Sequence, residues 1–405
     1  MKIIVIGGGA AGFFSAIHAA STNKDAEVVI LEKTSKLLQK VKVSGGGRCN
    51  LAHSCFDLKQ LSLAYPRGEK HLKSAFSKFM TTDTINWFES RKVKLKTESD
   101  GRMFPTSDNS ETVINCLMSE AKKLKIKIEL NKEVKRIEPL DGGFKIHLAD
   151  GEIIECQKTI ITAGGGQKLE NYSWIKSLGH EIIEPVPSLF TFNIPDSDVI
   201  NLSGISVESA RIRIPELKTE LSGPVLITHW GLSGPVVLKL SSIAARLMTE
   251  INYDFTIQIG WINNKKEDAC RTELMNIKAA NPNKTVKNLF PFKLPVRLLD
   301  YLFLKSKIDQ KKNWAEISKE QITTLTQNLL FDAYQVKGKT TFKEEFVTCG
   351  GVGLNDVDFK NMQSRKVKGL HFAGEVLDID GFTGGFNFQA AWTTGFIAGT
   401  SAAKV

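Results

Sequence analysis

Residues 2–32 constrain the chain more than any other stretch. Lys2 to Ile6 (KIIVI) is a short β-branched run, the composition of a strand buried on both faces in a parallel sheet. Gly7, Gly9 and Gly12 follow as GxGxxG, and Phe13 to Ala20 continue with helical composition. A second apolar run, Val28 to Leu31, ends at Glu32, twenty residues beyond Gly12. Each part has a physical role in holding a dinucleotide. Gly7 permits the tight turn, Gly9 lets backbone approach a pyrophosphate, and Gly12 lets helix pack on strand. The pyrophosphate then sits at the positive end of the helix dipole, and Glu32 accepts hydrogen bonds from ribose hydroxyls. A carboxylate there repels a 2′-phosphate, which favours FAD or NAD over NADP. The reading is an α/β chain with a Rossmann-like opening.

Two later glycine clusters decide between FAD and NAD. Ala163-Gly164-Gly165-Gly166 follows the apolar run Thr159 to Thr162. Gly374-Glu375 follows Leu370 to Ala373 and precedes Asp378, Asp380 and Gly384-Gly385-Phe386-Asn387. FAD is long and lies extended, so its adenosine end meets the start of such a chain and its flavin end a late strand and the final helix. Gln389 to Ala403, rich in alanine, suits that helix, whose dipole would stabilise negative charge on a reduced flavin. Noncovalent FAD is therefore the expected cofactor.

Composition excludes several other classes. At 405 residues, 42% hydrophobic and 24% charged, the chain has the balance of a globular protein of two or three domains. Six cysteines are scattered without a CxxC pair or zinc-like spacing, so they read as reduced thiols, and no metal is expected. No run of eighteen apolar residues occurs, so no membrane span is expected. Gly7 to Gly9 break the apolar stretch that would otherwise tempt a signal-peptide reading, and the expected location is cytoplasmic. The net charge of +10 could attract phosphates, acidic substrates or nucleic acid.

At this point the residues resemble a known family. Lys42-Val43-Ser44-Gly45-Gly46-Gly47-Arg48-Cys49-Asn50 is similar to the SGGGRCN signature of the HI0933-like (BaiN-like) flavoproteins. So are Thr228-His229-Trp230-Gly231-Leu232-Ser233-Gly234-Pro235, Gly350-Gly351-Val352, and the segments beginning at Gly374 and Gly384, in the family order. The resemblance implies NAD(P)/FAD-dependent oxidoreductases, a family whose members include aminoacetone oxidases and enzymes reducing conjugated 3-oxo bile acid intermediates. It implies a Rossmann-like FAD-binding domain interrupted by an inserted β-barrel-like domain and a small helical subdomain. It does not transfer a substrate.

Composition along the chain supports an interruption. Strands and helices alternate up to about Pro185, with strands near 126–130, 134–138, 144–148 and 159–162 and a hairpin turn at Asp141-Gly142-Gly143. Pro185 and Pro187 punctuate a boundary. Leu189 to Ile259 shows short β-rich runs with turns at Gly223-Pro224 and Gly234-Pro235, the pattern of an antiparallel barrel or sandwich. Asn263 to Leu330 is Lys-rich and helical, notably at 294–304 and 322–330. The expected partition is thus 1–186 for the first part of the FAD-binding domain, 187–262 for a β-rich insert and 263–330 for a helical subdomain. A return strand at 331–343 and the second FAD-binding part at 344–405 complete it. Lys59 to Lys96 is another basic helical stretch, whose Trp87 and Phe88 fit a buried face better than a nucleic-acid stripe.

Arg48 and Asn50, after three glycines, are expected to contact the cofactor, Arg48 neutralising phosphate or the flavin N1–C2=O region, with Lys42 sharing that work. Ser44, Gly45 and Gly46 supply the close backbone. Cys49 and Cys55 have five residues between them, one too many for a CxxxxC redox disulfide, so Cys49, counted among the cofactor-binding residues, is expected to fill space beneath the loop. Ala10, Ala11, Lys33, Val134, Ala163, Gly164, Gly165, Gly374, Asp380, Gly384, Gly385, Phe386 and Asn387 complete the expected cofactor contacts, with Glu375 toward the ribityl chain. His229 and Trp230 are the candidates for catalysis, as a proton donor or carbonyl polariser and as a pocket wall. The expected reaction moves a hydride or electron pair between FAD and a small organic substrate, by amine or amino-ketone oxidation or by enone reduction. NAD(P)H could serve as a transient reductant, although no second GxGxxG unit is present. No nucleic-acid or membrane partner is expected, and the sequence leaves the oligomeric state open. A tRNA-modifying flavoprotein and a non-enzymatic FAD-stabilised binding protein are the alternatives.

Overall fold

The computed structural model describes residues 1–263, 265–340 and 347–404. The chain divides into two compact units, Met1–Ser188 with Phe342–Val405, and Leu189–Thr341. The expected return strand and second FAD-binding part both reach into 341–346, which lie outside the described residues.

In the first unit β1 (Lys2–Ile6) leads through the glycine loop into α1 (Ala10–Thr22) and back to β2 (Glu27–Leu31). A short helical segment, α2 (Gln39–Gly47), follows, and β3 (Lys127–Glu129), β4 (Lys158–Ile161) and β5 (Leu370–Phe372) complete a parallel core. The order is β5-β4-β1-β2-β3, with two short antiparallel strands beyond β5 at Gln363–Ser364 and Val357–Asp358. Central β1 pairs on both sides, Ile4 opposite Thr159 and Val29. Ile3, Ile4 and Val5 have no exposed surface, as an unbroken β-branched run requires when both faces are covered.

The last helix, α3 (Phe386–Ala402), packs against α1. A Cβ on Gly399 would lie 2.1 Å from the Ser15 carbonyl oxygen, and one on Gly395 2.9 Å from that of Ala11. Glycine at these positions lets the two backbones touch. The helix starts at Phe386, three residues ahead of the expected Gln389, because left-handed Gly385 (φ 97°) ends the preceding turn. Trp87 and Phe88 are buried against Phe14, with ring centroids 4.7 and 6.4 Å away, and Arg91 stacks on Trp87 at 3.9 Å. Leu140 opposes Gly143 in the hairpin at Asp141-Gly142-Gly143. Pro185 and Pro187 fall inside the strand Ile182–Ser188, which among the described residues pairs only with Val347–Val352 and is bulged between Ile183 and Val186. Such irregular, singly paired strands tolerate the missing N–H.

The second unit carries a seven-stranded sheet, antiparallel throughout. Two turn expectations fail here. Gly223-Pro224 lies within the strand Thr219–Thr228, opposite a bulge in Ser206–Ile214, and Gly234-Pro235 opens a helix, Pro235–Ile243, followed by Ala245–Glu250. Pro235 at the first helical position lacks an N–H that would have no partner there. Val236, Val237, Leu240, Ala244 and Met248 are buried at helical spacing within the stretch read as β-rich. Helices Glu267–Ala280, Val296–Lys305 and Lys319–Leu330 complete the unit.

Two histidines, half-buried His18 and buried His371, tie stability to pH. Burial, then Arg91, holds His18 down to about 3, and its ring Nε2 is buried without a partner. Burial, then Lys158, holds His371 down to about 4. Below pH 6.5 the unfolded chain takes up protons that the folded chain refuses, so stability falls as pH drops from 6.5 toward 4. The expected slope is about 1.4 kcal/mol per pH unit for each histidine. Urea unfolding at pH 7, 6 and 5 measures it, and His18→Leu should flatten the curve; an unchanged slope would remove His18 as a contributor.

Candidate functional site

The glycine loop is built by exclusion. A Cβ on Gly7 (φ 114°) would sit 2.4 Å from the Thr162 carbonyl oxygen, and one on Gly12 1.9 Å from that of Gly7. Gly9 differs: no atom lies within 4 Å of where its Cβ would be. It precedes Ala10 and Ala11, the first residues of α1, and no side chain caps that helix. The first-turn N–H groups and the positive end of the dipole are left for an anion. Glu32 Oε2 accepts from the Gly8 N–H at 2.8 Å, and Oε1 from the Thr34 N–H and hydroxyl, both 2.9 Å. The acid is thereby pinned at the end of β2. Lys33 beside it is exposed, and Val134 opens a strand of a separate three-stranded sheet, Val134–Leu140.

The segment 42–50 is more ordered than a loop. It continues α2 until Ser44, Gly45 and Gly46 leave helical geometry, with Gly45, Gly46 and Gly47 all left-handed. A Cβ on Gly45 would meet Phe104 at 2.8 Å, whereas Gly46 and Gly47 face open space. Arg48 donates to Glu98 at 2.6 Å and stacks on Phe104 at 4.0 Å; Lys42 pairs with Glu111 at 3.1 Å. Both cations thus hold protein carboxylates. Cys49 is fully buried, and burial pushes its thiol up to about 12 against a hydrogen bond with Ser44. Cys49 and Cys55 are both free thiols. The Asn50 amide lies between the Gly385 N–H (3.1 Å) and the Ala52 carbonyl (3.2 Å), joining this segment to the start of α3.

At the other strand ends, Ala163 is exposed, Gly164 is left-handed with open space around it, and Gly165 abuts Thr348 and Glu375. Gly374 is left-handed too, and Glu375 accepts from the Thr348 N–H at 3.0 Å and pairs with Lys40. Asp380 corrects an expectation. It has no exposed surface, and its two oxygens hold Arg67 and the Ser188 hydroxyl (2.5 Å), so it presents none to a cofactor. A Cβ on Gly385 would lie 2.4 Å from Ala52 backbone, and Gly384 is left-handed. Phe386 stacks on His53 at 4.5 Å, and His53 Nδ1 lies 3.1 Å from the Gly384 carbonyl oxygen. Asn387 holds the Gly381 N–H (2.8 Å) and carbonyl (3.0 Å). No side chain caps α3, so its N–H groups match those of α1.

Four participants escaped the sequence reading: Thr162, Lys40, His53 and Arg67. Thr162 had a signal, being the last residue of the apolar run before Ala163; its hydroxyl donates toward the Ile6 (2.9 Å) and Gly7 (3.0 Å) carbonyls. The other three depend on long-range pairing. His229 and Trp230 form the turn between Thr219–Thr228 and Gly231–Ser233 in the second unit. His229 is exposed, 4.3 Å edge-on from Trp230, whose Nε1 donates to Thr191 Oγ1 at 3.0 Å.

A parallel sheet, a glycine loop feeding an uncapped helix, an acid at the second strand end and a second uncapped helix late in the chain define a dinucleotide-binding oxidoreductase fold. The chain belongs to the HI0933-like family, described as "HI0933-like protein Rossmann domain", which matches residues 1–401. It is an FAD-dependent oxidoreductase. The chain is 28% identical to the 3-dehydro-bile acid delta(4,6)-reductase of Clostridium scindens, covering 100% of this chain and 99% of that one. It is 29% identical to the ribosomal RNA dihydrouridine synthase of Haemophilus influenzae, over 99% and 98%. Among solved structures, 3-ketosteroid-delta4-(5alpha)-dehydrogenase from Rhodococcus jostii RHA1 superposes with a TM-score of 0.54 at 14% identity, covering 100% of this chain and 97% of that one. Among the described residues no helix is long and apolar enough to cross a membrane.

Proposed function

We propose that this chain reduces a carbon–carbon double bond conjugated to a carbonyl. The observation that carries the reading is chemical agreement between full-length relatives with different substrates. A delta(4,6) alkene beside a 3-oxo group and the C5=C6 bond of uracil beside its C4 carbonyl are the same electrophile: a β-carbon that accepts hydride while the carbonyl oxygen takes up charge.

The residues fit FAD. The space over Gly9 and the uncapped first turn of α1 suit a pyrophosphate, and Glu32 suits the adenosine ribose. Gly46, Gly47 and Gly164 leave backbone open to a bound group, and the positive dipole at the uncapped start of α3 would suit an anionic reduced flavin. Bound FAD supplies the hydride at this site, drawn in our reading from NADPH or NADH. The chain's part is to anchor the pyrophosphate at α1, hold the ribose at Glu32 and stabilise negative charge at α3. Asn50, bridging Gly385 and Ala52, keeps the SGGGRCN segment in register with α3. His229 and Trp230 are proposed to act on substrate.

Anaerobic protein should bleach at the flavin band with NADPH or NADH and recover colour on adding a steroid enone or a uridine-containing acceptor. Recovery only with oxygen, and oxidation of amines, would replace this reading with an oxidase. Glu32→Gln should weaken FAD about ten- to a hundredfold, the value of roughly 1.5–3 kcal/mol for a charge-assisted hydrogen bond. Flavin titration of apoprotein measures this, and unchanged affinity would remove Glu32 from the site.

A further inference from the structure

We infer that the basic face of the second unit around residues 284–312 docks the phosphate backbone of a folded RNA. Residues 278–319 hold ten Lys or Arg against three Asp or Glu, a net +7 in a chain whose total is +10. Three of these cations serve the fold: Lys278 donates to the Ala315 carbonyl (3.3 Å), Arg297 to the Asn201 carbonyl (2.7 Å), and Lys305 pairs with the buried Asp332. The others gather. An antiparallel bridge between Thr285 and Asn313 lays 284–287 along 311–313, with the Val286 N–H on the Lys312 carbonyl (3.1 Å) and the Trp314 N–H on that of Lys284 (2.9 Å). Lys284, Lys287, Lys311 and Lys312 are therefore carried on two adjacent backbone segments. Lys284, Lys311 and Lys312 are exposed and make no ion pair among the described residues. Lys287 pairs with Asp300 at 2.9 Å and donates to Gln310 Oε1 at 2.6 Å, at the edge of a recess of about 680 Å³ lined also by Arg297, Tyr301, Lys307 and Asp309.

Charge serving only solubility needs no gathering, and gathered ammonium groups repel one another until an anion lies across them. A polyanion with regularly spaced charges fits a patch drawn from two segments. Beside it, a tyrosine ring and a guanidinium in a concave recess offer stacking faces to an unpaired base. The choice of RNA rests on the conjugated-double-bond reading, under which the reduced group is a uracil of that RNA. The docking itself can be measured without turnover.

The test uses full-length holoprotein and a labelled, deproteinised ribosomal RNA fragment, with anisotropy followed from 50 to 200 mM salt. Each lost phosphate contact removes roughly 0.7–0.9 from the slope of log affinity against log salt. K284Q/K287Q/K311Q/K312Q should therefore lower the slope by about three and weaken binding about a hundredfold at 150 mM salt. Bound FAD and its reduction by NAD(P)H should stay at wild-type level. Lys311→Glu alone, at an exposed position, keeps the test readable should the quadruple variant not fold. An unchanged slope, or binding to phosphatidylserine vesicles without binding to RNA, overturns the proposal. Reduction of free enones without RNA binding sinks this surface and leaves the reaction standing; RNA binding through the patch without reduction of any conjugated bond does the reverse.

Discussion

Asp380→Ala is expected to destabilise the protein by about 3–5 kcal/mol, the cost of leaving one partner of a buried ion pair behind. Both Asp380 oxygens are engaged, by Arg67 from across the chain and by the Ser188 hydroxyl, and the Arg67 side chain is only 15% exposed. Water cannot replace the lost carboxylate there. Arg67 also bridges Asp380 through the backbone, so the pair sets the segment that runs into Gly381, Gly384 and the start of α3. Flavin occupancy should fall along with stability. Arg67→Met combined with Asp380→Leu should recover most of the loss, because removing both charges removes the orphan. Urea denaturation of the two single variants and the double variant decides this. A single-variant loss below about 1 kcal/mol would show that the pair behaves like a solvated surface bridge.

Gly12→Val should yield protein without flavin. Its Cβ would lie 1.9 Å from the Gly7 carbonyl oxygen and 2.8 Å from Thr162 Oγ1, so α1 must retreat from β1 and the loop loses its shape. Overpacking of this kind costs about 1–3 kcal/mol in stability, and a displaced helix start no longer meets a pyrophosphate. Gly9→Ala supplies the contrast. Gly9 has φ −91° and empty space where a Cβ would go, so the variant should fold with its melting temperature unchanged while FAD affinity falls. Normal FAD binding by Gly9→Ala would mean that the space over Gly9 is not where the cofactor lies.

The opening strand, loop, helix, strand and acid could be read from residues alone because each signal acts within a few neighbours. β-branching sets β1, glycine permits the turn, and the spacing to Glu32 is the length of one helix and its return. The helices expected at 294–304 and 322–330 and the buried face of Trp87 and Phe88 were legible for the same reason. The helix pair 235–250 was misread although its apolar spacing was helical, since Gly-Pro was taken for a turn and not for a helix start.

Tertiary structure decided what each polar side chain holds. Arg48 meets Glu98 fifty residues on, His53 meets Phe386, and Asp380 meets Arg67 from 313 residues away. Gly399 is required only because the Ser15 carbonyl passes 2.1 Å from where its Cβ would stand. Propensity and spacing act along the chain and leave a trace in sequence. A carboxylate's choice between a cofactor and a guanidinium is made by the approach of segments whose separation no local pattern encodes.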